Sequence, residues 1–147
     1  MNDIPSVKYS PILRYWGRSS MSEQYRVLVV DDDEAIRKLI SAILRRRNFV
    51  VDTAANGEEA LKKLGEHDYA IMLLDLMMPR VDGYTVIERV RDQKIATEIV
   101  VVTAAGASQV KAIDRSIVRF IISKPFDVTQ LVDTVVGICD GTVTRQA

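Results

Sequence analysis

The sequence predicts an α/β protein, an open doubly wound parallel sheet with helices on both faces. Three observations carry that prediction. Apolar runs of strand length recur from residue 26 onward, rich in Val and Ile and apolar nearly throughout; such runs suit strands buried on both faces, not half-exposed antiparallel ones. Amphipathic segments of helical period alternate with them. No long insertion interrupts the alternation, so βα units succeed one another directly, and right-handed crossovers turn that arrangement into one parallel sheet.

Residues 1–25 form a leader that differs in composition from the rest of the chain. It holds two of the four prolines, the single tryptophan, and Tyr9, Tyr15 and Tyr25. Two readings stay open for it: a short helix over 11–16, with Ser10 as N-cap, Pro11 as the first helical residue and Gly17 as the stop, or an irregular leader with a second start at Met21. Tyr15 and Trp16 beside Ile12 and Leu13 offer apolar area, so the leader is expected to pack on the domain or on a second copy. The domain proper is expected over 26–140, with a polar tail over 141–147.

The strand-like runs are Arg26–Val30, Val50–Ala54, Tyr69–Leu74, Glu98–Val102 and Val118–Ser123. Between the first two, Ile36, Leu39, Ile40, Ile43 and Leu44 make an apolar helical stripe that ends in Arg45-Arg46-Arg47-Asn48. Three cations and an Asn suit a helix C-terminus, so the triplet reads as a cap in preference to a nucleic-acid patch. Further helices are expected over Glu58–Leu64 and Tyr84–Arg91, a weaker one over Gln109–Arg115, and a last one over Val128–Cys139, stopped by Gly141.

Composition narrows the function. The chain has 147 residues, 48% of them hydrophobic and 27% charged, enough for one domain with a core of its own. Lys+Arg 20 against Asp+Glu 20 leaves no net charge to draw it to nucleic acid or an acidic membrane. A single cysteine, Cys139, and a single histidine, His67, exclude an internal disulfide and a Cys- or His-rich metal centre. The apolar runs fall far short of the roughly 18 residues of a membrane span, and the N-terminus lacks a signal-peptide pattern. A cytoplasmic location is the expectation.

The informative residues are those that end the strands. The first run ends in Asp31-Asp32, the third in Asp75, the fourth in Thr103 and the fifth in Lys124. In an open parallel sheet these ends share one edge, where ligands bind. Each alone has a plain alternative: a helix cap, a turn residue, a β-former, a solvated charge. Together they converge on a cleft. Clustered carboxylates hold one another's ionisation up unless a cation joins them. Oxygen-only ligands select a hard ion, Mg²⁺ or Mn²⁺, which binds phosphoryl oxygens. A carboxylate beside such an ion, with a Lys and a Thr nearby, can attack phosphorus and form an acyl phosphate. No G-x-x-x-x-G-K-[ST] loop exists, so the phosphate source is not expected to be a bound nucleotide.

In order along the chain, Val27-Leu28-Val29-Val30-Asp31-Asp32-Asp33, Leu73-Leu74-Asp75-Leu76-Met77-Met78-Pro79 with Asp82-Gly83, Val101-Val102-Thr103-Ala104 and Ser123-Lys124-Pro125-Phe126 resemble the motifs of the receiver domain of two-component response regulators. The resemblance runs from about Arg26 to Cys139. It implies a flavodoxin-like, chemotaxis-regulator-like sheet of order 2-1-3-4-5. It further implies that Asp75 accepts phosphoryl from a histidine kinase, a phosphotransfer protein or acetyl phosphate. By the same resemblance Asp32, Asp75 and the Met77 carbonyl bind Mg²⁺, with Asp31 acting through water. Thr103 and Lys124 hold the phosphoryl oxygens, and Ala104 leaves room for them. Independently of the resemblance, the Lys124–Pro125 bond is expected to be cis, turning the chain so that the Lys124 ammonium projects into the cleft.

The sequence departs from the family pattern at two places. Asn48 stands where a glycine is common before strand two, and it too tolerates a left-handed backbone. Ile121 stands three residues before Lys124 in place of the usual aromatic switch residue, so the switch pair is Thr103 with an aliphatic partner. Strand alternation puts Ile121 and Ser123 on one face and Phe120, Ile122 and Lys124 on the other. Asp33 and Asp82 read as a helix-start acid and a turn residue, His67 as solvated, Cys139, Tyr84 and Met78 as packing residues. The last helix lacks a basic end, so direct nucleic-acid contact is not expected; the chain is either a stand-alone receiver or part of a larger protein, and a dimer is left open. Two rivals remain. A haloacid-dehalogenase-type phosphatase needs an Asp two residues after the nucleophile, where Met77 stands. A never-phosphorylated binding module of the same fold would have little use for Asp75, Thr103 and Lys124 together.

Overall fold

The computed structural model describes residues 24–143. The expected leader helix over 11–16, the packing of the leader and the end of the tail lie outside the described residues. The apolar runs become β1 (Arg26–Val30), β2 (Val50–Ala54), β3 (Ile71–Leu74), β4 (Glu98–Thr103) and β5 (Val118–Ser123). They pair in parallel in the order β2-β1-β3-β4-β5. The intervening segments become α1 (Glu34–Arg46), α2 (Gly57–Glu66), α3 (Gly83–Asp92), α4 (Ala107–Lys111) and α5 (Val128–Asp140).

Alternation explains why the runs are apolar at nearly every position. Val27, Val29, Ile71 and Leu73 pack with Ile40, Leu44, Leu131 and Val135, on the side of α1 and α5. Leu28, Val30, Met72 and Leu74 pack with Ala60, Val86 and Val90, on the side of α2 and α3. The inner strands β1, β3 and β4 therefore feed two core layers with both faces dry, while the edge strands β2 and β5 are only partly buried.

The helices start and stop on local signals. Asp33 caps α1 by accepting from the N–H of Ala35 (2.9 Å) and Ile36 (3.3 Å). Asn56 caps α2, and Asp82 caps α3 by accepting from the Thr85 N–H. Arg45 and Arg46 fill the last turn of α1, as a C-terminal cap requires, and Asn48 takes φ 69° after it. Gly141 ends α5 at φ 76°, and the N–H groups of Thr142 and Val143 turn back onto the Gly137 carbonyl. Val143 lies against Gly137, where a Cβ would collide with it.

Three expectations change. The helix expected over Gln109–Arg115 is instead Ala107–Lys111, because the Asp114 carboxylate accepts from the Ser116 N–H at 3.0 Å and holds a turn where the helix would have run on. The strand expected from Tyr69 begins at Ile71, although Tyr69 is fully buried; its hydroxyl donates to Asp52 at 2.7 Å. Leu39, placed on the apolar stripe of α1, is 47% exposed, while Ser41 is buried. The buried line of α1 runs through Ile40, Ser41 and Leu44.

β5 carries one irregularity. Ile99 pairs with Val118 but Val100 pairs with Phe120, leaving Arg119 as an extra residue. Beyond that bulge Phe120 and Ile122 face the α1 and α5 side, and Ile121 faces the opposite layer with Ile99 and Val101. The facing expected for Ile121 and Phe120 holds.

Candidate functional site

The carboxyl ends of β1, β3, β4 and β5 meet on one edge of the sheet. The ladder continues past each strand: the Asp31 N–H donates to Ala54 O, the Asp75 N–H to Val30 O, and the Lys124 N–H to Thr103 O. The backbone therefore fixes these side chains at the edge before any side-chain bond forms. The loop holding Asp75 is clamped further by the Gly83 N–H, which donates to Leu76 O at 3.0 Å. A Cβ on Gly83 would run into the Asp75 carbonyl oxygen, so glycine is what lets α3 start this close to the loop that carries Asp75. The Lys124–Pro125 peptide is cis, as expected.

Lys124 binds two carboxylates at once. Its Nζ lies 2.7 Å from Asp31 Oδ2 and 3.2 Å from Asp75 Oδ2. Asp31 also accepts from the Asp33 N–H at 2.9 Å, and Asp75 from the Met77 N–H at 3.3 Å. Asp31, Asp75 and Thr103 are nearly sealed, at 3%, 5% and 1% exposure, while Asp32 stands exposed beside them. Burial raises the Asp75 carboxyl above its ordinary range, and the neighbouring Asp31 charge adds to this against Lys124 and the Met77 N–H. Burial also works against the Lys124 ammonium, but its bonds to Asp31 and Asp75 outweigh it and hold the pKa up.

Among the described residues, Asp31, Asp32 and Asp75 offer carboxylate oxygens that all lie within 4.8 Å of one another. Three carboxylates against one ammonium leave the cluster short of positive charge. An all-oxygen donor set of this kind fits a hard divalent cation. The Met77 carbonyl belongs to the loop beside Asp75, while the Met77 side chain is 52% exposed. Thr103 Oγ1 accepts from the Ala105 N–H at 3.1 Å, Ala104 is exposed at the rim, and Pro125 is exposed beyond Lys124.

Residues 27–136 match the response regulator receiver domain. The chain belongs to the response regulator receiver family. This receiver is 40% identical over 113 residues to the transcriptional regulatory protein ResD of Bacillus subtilis, covering 76% of this chain and 46% of that protein. It is 37% identical over 108 residues to the transcriptional regulatory protein SrrA of Staphylococcus aureus, covering 72% and 44%. The receiver thus spans under half the length of these curated relatives. Its structure is similar to that of response regulator TrrA from Thermotoga maritima, solved in complex with Mg²⁺-BeF, with a TM-score of 0.70 and 32% identity over 78% of this chain and 99% of that one. A receiver domain from Bermanella marisrubri is similar at a TM-score of 0.72 and 36% identity, covering 79% and 98%.

Sequence reasoning missed two residues around the receiver's site. Arg37 donates from its guanidinium to the Asp31 carbonyl at 2.6 Å, holding the start of the β1–α1 turn. The one signal for it was an arginine in the first turns of α1, where the helix dipole disfavours a cation. Gln109 joins the loops on the other side of the site: its carbonyl accepts from the Tyr84 hydroxyl at 2.7 Å, and its Nε2 lies 3.9 Å from Met77 Sδ. No spacing rule points to it. Cys139 is buried, which pushes its thiol up to about 12, as befits a packing residue. His67 is exposed at the end of α2. Among the described residues no helix is long and apolar enough to cross a membrane.

Proposed function

We propose that this receiver takes a phosphoryl group onto Asp75 from a histidine kinase or phosphotransfer protein, and that the phosphorylated state alters partner binding. The single observation that carries the reading is Lys124 Nζ reaching Asp31 and Asp75 together at the sheet edge. In the transfer an Asp75 carboxylate oxygen bonds to phosphorus as the bond from phosphorus to the donor breaks, and its electron pair leaves with the donor. The Lys124 ammonium neutralises charge on the phosphoryl oxygens, and Thr103 turns its hydroxyl to donate to one of them. A Mg²⁺ ion, or Mn²⁺ in its place, would be held by Asp32, Asp75 and the Met77 carbonyl, with Asp31 through water; when bound it supplies further neutralisation. Exposed Ala104 leaves space at the rim.

Incubation with acetyl phosphate and Mg²⁺ should add one phosphoryl mass to the wild type and none to Asp75→Asn. Equal uptake by both would misassign the acceptor, and no uptake by either would favour the unphosphorylated binding module.

The switch is built around Thr103 and the loop after it, with Ile121 only repacking. Ile121 has no ring to swing and lies in the layer with Ile99 and Val101. Ile121→Tyr should change partner binding more than the phosphorylation rate; a larger effect on the rate would place Ile121 in the transfer chemistry.

A further inference from the structure

We propose that Gln109 is a positioning residue that sets the lifetime of the acyl phosphate, an inference that rests on Asp75 being the acceptor. The polar groups of Gln109 are all engaged. Its N–H donates to Gly106 O at 3.1 Å, and its Oε1 accepts from the Gly106 N–H at 3.0 Å. Its carbonyl accepts from the Tyr84 hydroxyl, and its Nε2 meets Met77 Sδ. Met77 lies two residues beyond Asp75, and Gly106 three beyond Thr103. One side chain therefore ties the loop after the acceptor to the loop after the threonine, across the gap between β3 and β4.

The tie matters because α4 is short and lies at the surface, with Val110 partly buried against the core and Ile113 buried just beyond its end. The helix has five residues and buries none of them fully. Without Gln109 the 104–106 loop and the half-exposed Met77 side chain lose their mutual anchor. Hydrolysis of the acyl phosphate needs a water oxygen to bond to phosphorus as the bond from phosphorus to the Asp75 oxygen breaks. The electron pair of that bond returns to the carboxylate, and the water proton leaves with phosphate or solvent. Water must approach phosphorus opposite the Asp75 oxygen, so small shifts of the rim change the rate.

The test loads wild type, Gln109→Ala, Met77→Ala and the double variant with acetyl phosphate and Mg²⁺, removes the donor and tracks loss of the phosphoryl mass. Gln109→Ala should load at the wild-type rate and melt at the wild-type temperature, yet lose its label about three- to tenfold faster, the range one lost hydrogen bond supports. The double variant should decay no faster than the faster single one, because both break the same tie. Equal lifetimes, or accelerations that multiply, would overturn the inference while leaving Asp75 as acceptor. Should Gln109→Ala lose stability, Gln109→Glu keeps the acceptor for Gly106 and lacks the donor to Met77, and Tyr84→Phe removes only a hydroxyl. Wild-type lifetimes in both would also overturn it. Failure of the wild type to load would count against the proposed function instead.

Discussion

Asp75 carries two demands that conflict. The proposed transfer needs its ionised form, while burial and the Asp31 charge favour the protonated one. Its folded pKa is raised, so between the ordinary value of 3.8 and that folded value the native state holds more protons than the unfolded chain. Stability contributed by the protonated carboxyl is then lost as pH rises through this window. Asp75→Asn removes the loss, and Lys124 keeps Asp31 as a partner. The melting temperature of Asp75→Asn relative to wild type should therefore climb as pH is raised from 3.8 through the raised folded value. A difference that is flat or falls with pH would show that the Asp75 charge is not penalised in the fold. Lys124 is the counterpart: its raised pKa stabilises the fold below the ordinary value of 10.5 and ceases to do so as pH rises through the folded value.

At the scale of elements, the site depends on how closely α3 approaches β3. Asp82 caps α3, and Gly83 leaves room for the backbone of Asp75 and Leu76. Gly83→Ala should cost about 1–3 kcal/mol, the usual range for forcing a methyl into a packed site. It should also slow phosphoryl acceptance, because the backbone that must give way is that of Asp75 itself. Chemical denaturation together with the loading rate checks both. Unchanged stability would mean that the loop yields freely, and a lower stability with an unchanged rate would separate the α3 contact from the site. Gly57 meets Val81 in a similar way at the start of α2, so the β3–α3 loop is packed from two sides.

For the molecule as a whole, the acidic edge is an unbalanced charge that a bound cation would relieve. Any ion that binds the folded state alone raises stability by mass action, by about 2.7 kcal/mol at a hundred times its dissociation constant. The melting temperature should rise with Mg²⁺ concentration in the wild type and much less in Asp32→Asn. The Asp32 carboxylate is exposed, so that variant leaves the buried Lys124 pairs intact. A melting temperature indifferent to Mg²⁺ would remove the cation from the proposal without touching the fold.

Most of the fold was legible because its signals are local. Both-face burial shows in the apolar runs, caps show in Asp33, Asn48 and Gly141, and the strand ends carry Asp31, Asp75, Thr103 and Lys124 at positions that any parallel sheet gathers on one edge. Three kinds of fact were decided only in three dimensions. The rotation of α1 that exposes Leu39 depends on where the sheet lies beneath it. The length of α4 turned on a side-chain competition at Asp114, which helical periodicity does not register. The ties made by Arg37 to Asp31 and by Gln109 to Met77 and Tyr84 join loops through polar side chains, which leave no periodic trace in the chain. Periodicity records which way a residue faces; which polar atoms then meet is settled by the tertiary packing that brings the loops together.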